Sequence, residues 1–144
     1  MPSPVTYAGP LAVTLAYVLL YYVFQIYGTK VKTSLAKEYA ARGEKFDRYY
    51  TQDRRMLAAD RIQLNTLEHM PPFLTLLWLN AVFVGTGGAT VAGALYVAAR
   101  AVYPFLMGGR LGRAIRPRIF LSTMVGYLVI LWYCATLAWG MFGG

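Results

Sequence analysis

Arg61-Ile62-Gln63-Leu64-Asn65-Thr66-Leu67-Glu68-His69-Met70-Pro71-Pro72 decides how this chain is read. From Pro71 to Val84 the residues are almost all apolar. Counted back to Ile62, the run reaches the twenty or so residues that a bilayer crossing takes. Its head therefore places a cation, an amide and a carboxylate on a membrane helix. At about 100° per residue, Arg61, Asn65, Glu68 and Pro72 fall on one narrow face. In contact with lipid, Arg61 and Glu68 would each cost about 2.5–3.5 kcal/mol at mid-membrane. That face is expected to look into protein, ligand or trapped water.

The composition agrees. Of 144 residues, 58% are hydrophobic and 14% charged, whereas a soluble domain carries about 25% charged residues. The chain is too short for two domains and reads as one integral membrane unit, residues 1–144. The net charge of +8 would suit nucleic acid, but its placement argues against that partner. All fourteen Lys and Arg lie within residues 30–61 and 100–118, and all six acids between 38 and 68. Clusters of this kind are loops between spans. The one cysteine, Cys134, cannot form an internal disulfide and reads as a small buried hydrophobe. No metal-ligand cluster accompanies it. The start, Met1-Pro2-Ser3-Pro4, lacks the basic region of a cleavable signal, so the apolar segment after it reads as a retained first span.

Four spans are expected, at about 10–27, 57–84, 89–106 and 119–142, with loops at 30–56 and 107–118. The apolar runs are continuous rather than alternating, which favours an all-α bundle over a barrel. Both loops are rich in Lys and Arg, so the positive-inside rule puts them in the cytoplasm and both termini on the other side. Tyr17, Tyr21, Tyr22 and Tyr27, with Tyr127, Trp132, Tyr133 and Trp139, supply interface anchors. The third span carries Ala92, Gly93, Ala94, Ala98, Ala99 and Ala101, small residues that let membrane helices approach closely, and is expected to be a packing core.

The polar stripe has a definite chemistry. Arg61 offers a forked, permanently charged donor for a carboxylate. Glu68 accepts from an ammonium group, and Asn65 both donates and accepts. A molecule with carboxylates and one amine would satisfy all three. Arg100 and Tyr103, with Tyr96 one turn before, line the third span at helical spacing, and Arg110, Arg113, Arg116 and Arg118 follow near the boundary. Interhelical hydrogen bonding alone, at about 0.6–2 kcal/mol per group, is the plainer reading of the same residues. Loop arginines also set topology or touch anionic lipid. Gln63 points about 160° away from the stripe and could serve the same ligand only from a neighbouring subunit.

The pattern Arg61-x-Gln63-x-Asn65-x-x-Glu68-x-x-Pro71 resembles the signature of the MAPEG family, the membrane-associated proteins of eicosanoid and glutathione metabolism. The likeness covers nearly the whole chain: four spans, a charged first loop and the motif opening the second span. It implies an integral membrane four-helix bundle assembled as a homotrimer, with glutathione as co-substrate held at subunit interfaces that open toward the cytosol, and no metal. By the same resemblance Arg61, Asn65 and Glu68 hold the tripeptide, and Gln63 helps from the adjacent subunit. His69 takes a place often held by tyrosine, and Tyr103 matches an aromatic or histidine ligand. Lys30 or Lys32 falls where the family has basic residues at the end of the first span. Arg116, or alternatively Arg113, matches the arginine that activates the thiol.

Two positions depart from the pattern. Met107 stands where many active members have a second tyrosine, and Pro117 where the prostaglandin synthases have a serine. The implied activity is a glutathione transferase, with peroxidase chemistry also open, acting on a lipophilic small molecule drawn from membrane lipid. A non-catalytic lipid-binding or scaffolding member is the alternative. A small transporter is a further one, which Arg61 and the basic rim fit less well.

Overall fold

A computed structural model describes residues 4–50, 53–112 and 117–143. After a short 3-10 turn at Pro4–Tyr7 come four helices: α1 (Ala8–Ala41), α2 (Arg54–Phe83), α3 (Thr86–Met107) and α4 (Ile119–Phe142). They form an all-helical membrane bundle in which α3 touches each of the other three. Helices α1, α3 and α4 are long and apolar enough to cross a membrane. In α2, Arg54, Arg55, Asp60, Arg61 and Glu68 crowd the half before the apolar run that starts at Pro71.

The first helix corrects the expected boundaries. The Gly28-Thr29-Lys30 stretch does not end it; the helix has 34 residues and reaches Ala41, roughly 50 Å against a hydrocarbon core of about 30 Å. Residues expected to form a loop instead continue an amphipathic helix. Leu35 is buried against Met56 and Ala59 of α2, with Val31 and Tyr39 packed alongside, the spacing of one helical face. Gly28 is itself buried and faces the Gln63 side chain, so it serves packing rather than termination. The connection is thereby reduced to residues 42–53. Arg55 grips Glu38 through two bonds of 2.9 and 2.7 Å. Arg48 does the same to Asp60 at 2.9 and 2.6 Å. Asp53 caps α2 by accepting from the Arg55 backbone N–H at 2.9 Å, which satisfies one of the helix's orphan donors.

The core is aromatic. Phe73 of α2 stacks on Tyr96 of α3 at 4.0 Å and 7°, and Tyr17 of α1 leans on both. Two of the six tyrosines expected to be interface anchors, Tyr17 and Tyr133, are fully buried. Their hydroxyls donate to the Thr66 and Ala89 carbonyls, each at 2.7 Å, and this lets a phenol sit in a dry core. Tyr22, Tyr127 and Trp139 are exposed and keep the anchoring role open to them. Cys134 is also exposed rather than buried.

The packing stripe of α3 is Ala89, Gly93, Tyr96, Arg100, Tyr103 and Met107. Of the six small residues expected to pack, Ala94 and Ala98 face outward, Ala92, Ala99 and Ala101 are half-buried, and Gly93 is buried. A Cβ there would lie 2.8 Å from a Val13 methyl and 3.1 Å from both Leu77 and the Tyr133 hydroxyl. Gly93→Ala is expected to destabilise the protein by about 1–3 kcal/mol through overpacking. A lowered thermal midpoint in detergent is the check. At the α2–α3 turn, Gly85 has φ 156° and ψ 143°, a conformation essentially reserved for glycine.

Candidate functional site

Helical phase puts Arg61, Asn65, Glu68 and Pro72 on one side of α2, as expected, and the burial pattern shows which side that is. Arg61, Glu68 and Pro72 are exposed on the outside of the single chain, while Ile62, Thr66 and Phe73 turn into its core. Asn65 sits at the edge, half-buried. Among the described residues the ion pairs join Arg42 to Glu44, Arg48 to Asp60, and Arg55 to Glu38 and Asp53. Arg61 and Glu68 are thus not consumed by each other. Their charged ends remain available at the surface of an apolar bundle.

A second layer stands behind them. Arg100 of α3 is buried to 1% exposure. It donates from Nη1 to Asn65 Oδ1 at 2.5 Å and from Nη2 to the Tyr96 hydroxyl at 3.3 Å. Its guanidinium carbon lies 5.1 Å from the Tyr96 ring centre. The room for it is made by Gly126 of α4, where a Cβ would lie 3.0 Å from Nη2. Tyr103, one turn on, is buried and lies within electrostatic reach of Arg61, Arg100 and Glu68. His69 is half-buried against Tyr127 of α4, ring centres 6.0 Å apart. The fold therefore gathers Arg61, Asn65, Glu68 and Tyr103 around one region of α2 and α3, with His69 at its flank.

Gln63 does not join them within one chain. It lines a polar cavity of about 200 Å³ between α1 and α2, together with Lys32, Gln25, Thr29, Arg48 and Asp60. Its separation from the stripe follows the helical phase. Its neighbourhood with Lys32, however, was hidden, because it requires α1 to stay helical past Gly28. Lys30 is exposed beside Thr33 and Lys37 on another face of α1. Arg113 and Arg116 lie outside the described residues; Arg110 and Arg118 on either side of them are exposed. Met107 is buried with Phe24, Ala58, Ile62 and Tyr103. Among the described residues no group of three or more His, Cys, Asp and Glu could hold a metal ion.

An apolar groove of about 450 Å³ lies close by, lined by Val23, Phe24, Tyr27, Ile62, Pro104 and Phe105 among others. Ile62 and Pro104 are the chain neighbours of Arg61 and Tyr103. The pairing of Asn65 with Arg100 is what reading the sequence missed. The available signal was a lone arginine in the middle of an otherwise neutral, Ala-rich span, a position that demands a polar partner.

Comparison with protein families matches the MAPEG family over residues 5–139, nearly the whole chain. No curated protein matches it.

Proposed function

Because this chain belongs to the MAPEG family, whose members are membrane proteins of glutathione and eicosanoid metabolism, we propose that it is a glutathione transferase of the membrane, with peroxidase chemistry open to the same site. The observation that carries this reading is the exposed, mutually unpaired Arg61 and Glu68 on one face of an apolar bundle. Left against hydrocarbon they would be costly; covered by a second subunit and bridged by a tripeptide bearing two carboxylates and one ammonium, they are satisfied. A homotrimer supplies the cover. Gln63 and Lys32 share a cavity on the other side of α2, and from an adjacent protomer they would complete the site that Arg61, Asn65, Glu68, His69 and Tyr103 begin; of the two lysines, Lys32 rather than Lys30 is the one so placed. All four helices cross the membrane in this reading, both termini lie away from the cytoplasm, and glutathione enters from the cytoplasmic side.

A thiol near pKa 8.5 is mostly protonated at neutral pH. A guanidinium beside the sulfur favours the thiolate, and lowering the pKa by about two units takes about 2.7 kcal/mol of differential stabilisation. One close cation in a partly dry site can supply it. Arg116 is assigned that role, with Arg113 the alternate. The thiolate sulfur then forms a bond to an electrophilic carbon while a leaving group departs with the electron pair. With a hydroperoxide it attacks the terminal oxygen, the O–O bond breaks, and the departing alkoxide takes a proton to leave as the alcohol; a second glutathione thiol then attacks the resulting sulfenic acid, giving the disulfide and water. The apolar groove beside Ile62 and Pro104 is within the size range of small-molecule sites, about 300–1,000 Å³, and suits a lipophilic partner.

Met107 favours a second reading, a member that binds glutathione or lipid without catalysis. The residue is buried among apolar neighbours and offers no hydroxyl where many active members have tyrosine. Rapid mixing of the purified protein with glutathione separates the two. A saturable thiolate absorbance near neutral pH is the expected result. Saturable binding without thiolate would support the second reading, and no binding at all would sink both.

A further inference from the structure

The Asn65 carboxamide carries an asymmetry that its neighbours impose. Arg100 has donors and no acceptor, so only Oδ1 of Asn65 can face it, and Oδ1 does so at 2.5 Å. The amide Nδ2 is then turned away from the guanidinium, on a residue that is half-buried between the exposed Arg61 and Glu68 along the same helix face. Among the described residues no hydrogen bond engages that Nδ2. An asparagine at a half-open edge would ordinarily turn about its terminal bond, offering a donor in one orientation and an acceptor in the other. Here one orientation is fixed from behind.

The fixing group is itself held in place. Arg100 lies against the Tyr96 ring and donates to its hydroxyl. Gly126 closes over it from α4 with no side chain in between. Among the described residues its buried Nε has no hydrogen-bond partner, and no carboxylate forms an ion pair with it. A buried cation with a spare donor and no counter-ion is a poor stabiliser, since desolvation outweighs what two neutral partners return. Its placement answers better to function than to stability.

We propose that Arg100 is a positioning residue of the ligand site: it locks the Asn65 side chain as a dedicated donor, so that the site selects an acceptor, a carboxylate or carbonyl oxygen of the bound tripeptide, at that point. This rests on the glutathione reading above and adds a residue that acts through Asn65 without touching the ligand. It also assigns the ligand atom beside Asn65 as an acceptor, while the ammonium goes to Glu68.

The test is a double-mutant cycle on the trimer in detergent, with glutathione as the probe and thermal midpoint measured beside affinity. Arg100→Met is expected to weaken glutathione binding about tenfold, equivalent to about 1.4 kcal/mol, while leaving the midpoint unchanged or raised, because an uncompensated buried charge has been removed. Asn65→Leu should also lose affinity and should lower the midpoint by leaving Arg100 short of a partner. In the Asn65→Leu background, Arg100→Met should change affinity no further and should restore stability. If Arg100→Met fails to assemble, Arg100→Lys supplies the cycle, since one ammonium cannot hold both Asn65 and Tyr96 as the fork does. Full additivity of the two substitutions on affinity would make Arg100 a remote source of charge and overturn the assignment. Loss of affinity only in step with loss of midpoint would reduce it to a structural residue, with the same consequence. Arg61→Ala, run in parallel, separates this inference from its premise. Binding lost there but intact in Arg100→Met overturns the positioning role alone, whereas an unaltered chain that never binds glutathione overturns both.

Discussion

Glutathione affinity should fall about thirtyfold or more in Arg61→Ala, with the oligomeric state unchanged. A charge-assisted pair in a partly dry site, once one partner is truncated, costs about 2–5 kcal/mol, much of it from the other charge left without its counterpart. The Arg61 side chain is exposed in the single chain and makes no ion pair among the described residues, so its removal takes little from the protomer's own packing. Glu68→Gln tests the other end of the same ligand. The amide keeps the volume and an acceptor oxygen but loses the charge that an ammonium requires. Equilibrium binding of glutathione to each variant, with the oligomeric state followed by size, is the measurement. Affinity unchanged in either would remove that residue from the site. Loss of assembly in both would show that the stripe is subunit glue, the plainer use of such residues in membranes.

What the sequence disclosed, and what it hid, divides along one physical line. Periodicity within a single helix was legible. Arg61, Asn65, Glu68 and Pro72 could be placed on one face because the helical repeat fixes their phase whatever surrounds them. The fourth helix, Ile119–Phe142, falls where its apolar run begins and ends. The first helix was misjudged because a glycine followed by Thr and Lys looks like an ending when only the apolar run is counted. The face formed by Gly28, Val31, Leu35 and Tyr39 continues in phase beyond it and finds Met56 and Ala59 to pack on. Tertiary contact then outweighed local propensity. Tyr17 and Tyr133 were misplaced for a related reason. A tyrosine in an apolar run is an anchor only if its hydroxyl meets the interface, and here each hydroxyl finds a backbone carbonyl inside the bundle. The bond between Asn65 and Arg100, residues 35 apart in the chain, depends on how α2 and α3 lie together, which no window of sequence contains.

Arg116→Ala should leave glutathione bound and take away its reactivity, the second large effect. One ligand imposes two separable tasks. Holding the tripeptide is assigned to Arg61, Asn65 and Glu68, so affinity should change by no more than a few-fold when a cation elsewhere is removed. Ionising the sulfur is assigned to Arg116. If its guanidinium lowers the thiol pKa by about two units, then without it the pKa returns toward the value near 8.5 of a free thiol. Well below the native value both proteins would hold mostly thiol, and well above 8.5 both would hold thiolate. The difference is confined to the interval between, which includes neutral pH. The thiolate absorbance of the bound complex, titrated from pH 5 to 10, should therefore shift its midpoint upward by about two units, about 2.7 kcal/mol. Turnover with a lipophilic electrophile should fall with it at pH 7 and recover in part at pH 9, where hydroxide supplies the ionisation the arginine no longer does. An unshifted midpoint would pass the role to Arg113, and the same titration on Arg113→Ala would then carry the shift. A midpoint unmoved in both would leave the thiol without an activating arginine and return Met107 to the centre of the argument, as the mark of a protein that binds its tripeptide and does not use it.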